Sequence, residues 1–495
     1  MTFAPQVNIS QAGVPQGFAT ENVRVYASYV ITALLFGFLV LKRRGKYPDV
    51  PWVNPKRPTE FTTMRQRREF LMKGQQILHE GAEKFKDKPS QLMTELGPVL
   101  LLPPKYVEEL KNNKALNFRK PAEDTIHSKL WGFTPMDAPA EIHKVVNNHL
   151  TKALLSLTKP ISEETTQALR EVFRESKEWF EITPETIMLV VTRMSSKVFM
   201  GKELCGDKEW IATSSAYVAQ VFYQRFVISE FPKFLRPLAN VFLPGSIEVR
   251  RTLKPCQKAL QPHMERREIR KKEALARGET NPCNDSIEWF AQEIKSRAYD
   301  PASLQIALSV VAIHATADLL AQTLFDLAKS PHLIEPLRNE VIEVIGTYGY
   351  FLRTAEEDIK LSDGFLLKKG TKTLLSMSNV MQNGEIYQDP FRYNPYRFVE
   401  MRKNSTLEGR AHLVSATPEH FGFGHGAHAC PGRFFAANEL KIAMAHILLK
   451  YDLKLADGVA DLEPLAIGIN LILNPGVKLL FRRRKEELDL DTIEI

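Results

Sequence analysis

The sequence predicts a mainly α-helical protein with small β-sheets, carried behind a single N-terminal membrane helix. Three observations lead there: long stretches with apolar residues at three- and four-residue spacing, few strand-like alternations, and one charge-free apolar run near the start. The 495 residues are 44% hydrophobic and 25% charged, a globular balance that excludes a disordered chain, a collagen-like repeat and a multi-span channel. Four cysteines, Cys205, Cys256, Cys283 and Cys430, are too few and too scattered for a disulfide framework or paired zinc ligands. A net charge of +8 is mild at this length; it suits an anionic membrane surface or an acidic partner, not nucleic acid.

The elements follow in order. Residues 25–41 form an uncharged run that covers about 25 Å as a helix, and Val23 with a snorkelling Arg24 extends it to a 23–41 anchor. Lys42, Arg43, Arg44 and Lys46 follow, whereas residues 1–22 carry only Glu21, so the first 22 residues are expected in the lumen and the rest in the cytosol. A cleaved signal peptide needs the opposite flanks. A buried core helix is the competing reading, and Asn8-Ile9-Ser10 is a weak glycosylation sequon on the tail. Pro48, Pro51, Pro55 and Pro58 around Trp52 predict a stiff hinge over 42–59, ahead of a folded body at 60–495.

Within that body, helical periodicity marks 64–85, 162–180, 184–200, 246–273 and 287–296. Alternating charges from Glu265 to Arg277 read as a solvated helix face, with a partner-binding face as the alternative. Asp300 and Pro301 open a helix of about 40 Å that runs to Lys329, apolar on nearly every side and so expected to cross the interior. Its middle, Ala312-Ile-His-Ala-Thr-Ala-Asp318, is small and polar. Such residues let a flat ligand approach, and a buried Thr316 hydroxyl needs a partner or bonds back to a carbonyl; a satisfied core threonine is the plainer reading.

Phe421-Gly-Phe-Gly-His-Gly-Ala-His-Ala-Cys-Pro-Gly-Arg-Phe434 sets Gly422, Gly424, Gly426 and Gly432 around Cys430, just before an apolar helix from about 433 to 451. Free N–H groups and the positive end of a helix dipole favour a thiolate there, which is what a metal-bound sulfur needs. Zinc held by His425, His428 and Cys430, or an inert buried thiol, are the alternatives; no second cysteine lies nearby, and structural thiols rarely sit in so glycine-dense a loop.

From Phe423 to Gly432 the loop resembles the FGxGxxxCxG haem loop of the cytochrome P-450 family at every defined position, Phe423, Gly424, Gly426, Cys430 and Gly432. His428 stands where that family usually has arginine, a variant associated with fungal members that act on diterpenes and related secondary metabolites. The resemblance runs along nearly the whole chain, through anchor, hinge, long helix and Pro395-Tyr-Arg-Phe398. It implies a P-450-like helical fold and haem b with its iron on Cys430. A propionate would be held by His428 and Arg353, Arg397 would be the PxRF arginine, and Thr316 the proton-relay threonine. It further implies hydroxylation of a lipophilic small molecule with O2, a thiolate whose electron push favours O–O cleavage, and NADPH-cytochrome P-450 reductase as partner at the endoplasmic reticulum membrane.

Two positions depart from the pattern. Ala315 replaces the acid that precedes the threonine; His314 and Asp318, two residues away on either side, project about 200° round the helix from Thr316. The second departure is larger. A Glu-x-x-Arg helix should lie before the strand with Arg353, but only seven residues, 346–352, separate that arginine from a helix expected over 336–345. Glu335-Pro-Leu-Arg338 has the spacing but belongs to the earlier helix, and the same spacing recurs at Glu21, Glu171 and Glu248. The sequence therefore predicts a lost coding segment or a catalytically impaired relative.

Overall fold

The computed structural model describes residues 46–490 apart from 61, 138, 296–297, 341–349, 391–393, 395 and 489. The expected luminal tail and the 23–41 anchor lie outside the described residues. Helices introduced here are α1 (Met64–Phe85), α2 (Arg119–Ile126), α3 (Thr151–Val172), α4 (Pro184–Cys205), α5 (Lys208–Ser229), α6 (Arg236–Phe242), α7 (Pro244–Ala276), α8 (Ser286–Ile294), α9 (Pro301–Lys329) and α10 (Arg433–Lys450).

Helix α9 organises the rest. Asp300 Oδ1 accepts from Ala302 N–H at 3.2 Å and Pro301 occupies the first helical position, so both start signals act as expected. Leu320, Leu324 and Leu327 are fully buried among α3, α4 and α10, in a core that also takes Phe199, Phe325, Phe435 and Ile447. Among the described residues this helix alone is long and apolar enough to span a membrane, and its burial marks it as the core helix.

A five-stranded sheet forms the second layer: β1 (Ser90–Thr94), β2 (Gly97–Leu101), β3 (Leu116–Asn117), β4 (Tyr350–Ala355) and β5 (Lys372–Ser376), in the order β1-β2-β5-β4-β3. Strands β4 and β5 are antiparallel with Arg353 opposite Thr373 and Thr354 opposite Lys372. Ordered packing begins before residue 60. Trp52 bridges to Gln91, and Asn54 exchanges hydrogen bonds with the Met93 backbone at 2.8 and 2.9 Å, so the second half of the proline-rich segment is laid on β1.

Two expectations change. The stretch expected helical over 162–180 splits: α3 ends at Val172 and Phe180–Ile182 is a strand, because Phe180 pairs with Phe481 of the last strand. The basic stretch on α7 is only partly solvated. Arg267 is buried and bidentate to Asp285, at 2.6 and 2.9 Å, and Lys271 lies 3.0 Å from Glu288, so alternating charge there ties α7 to α8.

Helix α10 carries a fully buried carboxyl. Glu439 accepts from Ser195 Oγ of α4 at 2.6 Å, its other oxygen has no hydrogen-bond partner among the described residues, and burial raises its pKa from 4.5 to about 8. An unfolded chain releases that proton near 4.5, so the native state is progressively disfavoured as pH rises from about 4.5 to about 8. Glu439→Gln keeps the acceptor for Ser195. It should leave thermal stability nearly unchanged at about pH 4 and raise it at about pH 8 by several kcal/mol; equal effects at both pH values would show that the carboxyl ionises at its ordinary pH in the fold.

Candidate active site

The loop before α10 is built on backbone geometry. Cys430 N–H donates to Phe423 O at 2.6 Å and Gly424 N–H to Phe421 O at 2.8 Å, closing the loop on itself. Gly424 and Gly426 have φ of +73° and +71°. A Cβ at Gly426 would lie 2.5 Å from Lys111 O, so the loop can meet the 111–112 backbone only as glycine. Two side chains fasten it there: Asn112 Oδ1 accepts from Ala427 N–H at 2.8 Å, and His425 Nε2 lies 2.9 Å from Glu108 Oε1. His425 is thereby turned to Glu108, away from the zinc role weighed above.

Cys430 is partly buried, while Cys205, Cys256 and Cys283 are buried; all four are free thiols. Burial pushes the Cys430 thiol upward, and the N–H groups of Gly432 and Arg433 with the Arg433 charge pull it back. These donors at the start of α10 are what a thiolate ligand requires.

Around the loop gather one guanidinium and two imidazoles. Arg353 is buried with its guanidinium 5.0 Å from the Phe118 ring centroid, and burial lowers its pKa to about 10. His428 is held below its usual pKa by burial and then by Arg353 and His143. His143, from the short helix Glu141–Val145, is lowered by burial and then by Arg119. Neither imidazole has an acid among the neighbours that shift it. The site is therefore one partly buried sulfur beside a buried guanidinium and two imidazoles able to donate hydrogen bonds, a donor set that fits an iron porphyrin with acidic side groups. Sequence reasoning missed His143, since a lone histidine in a five-residue helix carries no spacing signal.

On α9, Thr316 is buried and donates to Ala312 O at 2.8 Å, the back-bonding expected of a core threonine. Val311 is 54% exposed, and His314 and Ala315 share that solvent-reached face. His314 stands 5.9 Å from Phe222 of α5, in a cleft whose walls lower its pKa. Asp318 accepts from Leu473 N–H at 3.1 Å, so it anchors the loop after a short hairpin and leaves the acid position beside Thr316 unfilled. Arg397 is half-buried, donating to Gln388 O at 2.7 Å and Asp389 O at 3.1 Å, with the Tyr387 ring at 5.7 Å. Glu356 faces Lys120 at 3.7 Å, and Asp358 accepts from Lys369 N–H.

The cytochrome P450 family profile matches residues 347–480. Over 97% of its length the chain is 40% identical to cytochrome P450 monooxygenase eqxH of Fusarium heterosporum, covering 98% of that protein. It is 39% identical over 81% of its length to cytochrome P450 monooxygenase 1 of Gibberella fujikuroi, covering 99% of it. The fold matches the haem domain of cytochrome P450DA with a TM-score of 0.65 at 16% identity, across 88% of this chain and 97% of that one. The chain belongs to the cytochrome P450 family. It is a monooxygenase-type member, and family and fold imply a haem-iron cofactor.

The first alignment also has an internal shortfall. It runs over 515 positions yet takes in 97% of 495 residues, about 480, so roughly 35 positions of the relative have no residue of this chain opposite them. The second shows the same: 438 positions against about 401 residues.

Proposed function

We propose that the chain is a membrane-anchored haem-thiolate monooxygenase that hydroxylates a lipophilic small molecule, a terpenoid or related fungal secondary metabolite. The observation that carries this reading is Cys430 at the start of α10, with the Gly432 and Arg433 N–H groups on its sulfur and Arg353 and His428 beside the loop. Bound haem would supply activation of O2 for insertion of one oxygen atom into a C–H bond. Cys430 would be the axial ligand. His428, Arg353 and His143 would meet the acidic side groups, and Phe423 with Gly424, Gly426 and Gly432 would shape the loop around the sulfur. Arg397 would brace the 388–389 backbone beneath. NADPH-cytochrome P450 reductase would deliver electrons on the cytosolic side.

Residues 1–22, 23–41 and 42–59 would be luminal tail, single-pass endoplasmic reticulum anchor and hinge, ahead of a catalytic domain at 60–495. Supporting a membrane setting, α6 and the turn before it expose Phe234 (80%), Leu238 and Phe242 next to Lys233, an apolar edge with a basic flank.

Thr316 would hold a proton at its hydroxyl on the α9 side of the haem pocket, with Ala315 leaving it without the usual acid. Thr316→Ala should raise peroxide released per NADPH consumed several-fold; unchanged coupling would remove Thr316 from the relay. The reading as a whole is tested by the reduced carbon-monoxide difference spectrum of the membrane-bound protein. A thiolate-type Soret band, even at low haem occupancy, supports it; a histidine-type band, or no haem once the roughly 35-position segment is restored, overturns it. The second reading, an impaired haem-binding relative or an incomplete coding sequence, is favoured by the roughly 35-position shortfall.

A further inference from the structure

Away from the cysteine loop, a second group of cations outnumbers its acids. Lys372 at the start of β5 has a side chain only 13% exposed, and its Nζ lies 3.1 Å from Asp124 Oδ2 on α2. Lys233, from the turn between α5 and α6, reaches the same oxygen at 2.8 Å. Arg67 of α1 and Arg236 of α6 both donate to Ser229 O at 3.2 Å, and Arg236 Nε donates to Phe231 O at 3.0 Å. His127 adds no charge: burial and then Arg236 lower its pKa to about 4. Four cations thus share one carboxylate and the partial negative charge at the C-terminus of α5.

Capping of α5 accounts for the terminal nitrogens of Arg67 and Arg236. It does not account for two lysines on one oxygen, nor for Arg67 Nε, buried with no hydrogen-bond partner among the described residues. The groups repel one another: Lys372 is lowered by burial, with Lys233 and Arg236 adding to it, and Arg236 by burial and then Arg67. Surplus charge held partly out of solvent is costly unless an anion meets it. Lys372 also stands opposite Thr354, the residue after Arg353, so one strand pair carries this group on one face and Arg353 on the other.

Resting on the monooxygenase reading, we propose that Lys372, Lys233, Arg236 and Arg67 around Asp124 form an anion subsite for the carboxylate or acidic enol of a lipophilic substrate. The enzyme would thereby select acidic amphiphiles over their neutral esters. A phospholipid headgroup offers similar anionic oxygens, and the neighbouring Phe234 makes it the rival source.

The test needs no haem. The full chain in neutral detergent is titrated by fluorescence with dansylaminoundecanoic acid and with its methyl ester. The acid should bind about tenfold more tightly. Lys372→Met should nearly erase the preference. Lys233→Met, at a side chain 66% exposed whose loss leaves the core intact, should reduce it several-fold. Lys478→Met, paired with Glu181 on another sheet, should leave it unchanged. Equal affinity for acid and ester, or a preference indifferent to Lys233→Met, overturns the proposal. Equal affinity together with Lys233-dependent capture by phosphatidylserine vesicles would also overturn it and assign the anion to a headgroup. The carbon-monoxide spectrum judges the monooxygenase reading separately, because the acid preference is measured without haem.

Discussion

Expressed as its 495 residues, the chain will bind haem well below one per polypeptide and turn over weakly or not at all. Only seven residues, 346–352, stand between the helix expected over 336–345 and Arg353, and the relatives carry roughly 35 aligned positions that this chain lacks. The family profile takes hold at residue 347, within that same seven-residue stretch. In the family that gap holds the Glu-x-x-Arg helix, whose glutamate and arginine pair with the arginine matched by Arg397. Removing one partner from a buried charge cluster costs about 3–5 kcal/mol, a large share of the about 5–15 kcal/mol by which a domain is stable. Here Arg397 donates to the carbonyls of Gln388 and Asp389, which soften that loss. Neither candidate acid offers a ready substitute, since Glu356 faces Lys120 and Asp358 takes the Lys369 N–H. Genomic and transcript sequence near Gly349 should reveal an in-frame segment of roughly 35 residues containing Glu-x-x-Arg, and restoring it should recover haem binding. Stoichiometric haem and robust hydroxylation from the 495-residue form, with no such segment in any transcript, would show that the fold tolerates the loss.

With the segment restored, Cys430→Ala will abolish the thiolate-type spectrum and monooxygenase activity. No other cysteine can serve: Cys205 and Cys256 are buried, each pushed up to about 11, and Cys205 faces Glu164 at 3.6 Å. His425 is bound to Glu108 and would have to leave it to approach a metal. Activity should fall by at least about a thousandfold, since the thiolate supplies the electron push. A thiolate band surviving in Cys430→Ala would place the ligand elsewhere.

The elements legible in the sequence were those whose signals are local. Asp300 and Pro301 announced α9 to the residue, and glycine density around Cys430 announced a loop that must approach other backbone closely. What escaped was set by distant partners. Phe180 looked helical until Phe481 claimed it as a strand residue, and Arg267 looked solvated until Asp285 supplied a buried carboxylate. His143 acquires meaning only beside His428 and Arg119, neighbours no spacing rule connects.

The seam between the cysteine loop and the 108–112 segment has a consequence for biogenesis. Its two side-chain ties join residues 317 and 315 apart in sequence, so this part of the site is of very high contact order. At about 5–20 residues per second, a ribosome needs roughly a quarter of a minute to a minute to travel from Asn112 to Ala427. Throughout that interval Glu108 and Asn112 lack their partners, and the cofactor has no sulfur to meet. Haem capture in this protein is therefore a late event of synthesis, and a chain truncated before its last sixth would lose Cys430 and the α10 side of the core together.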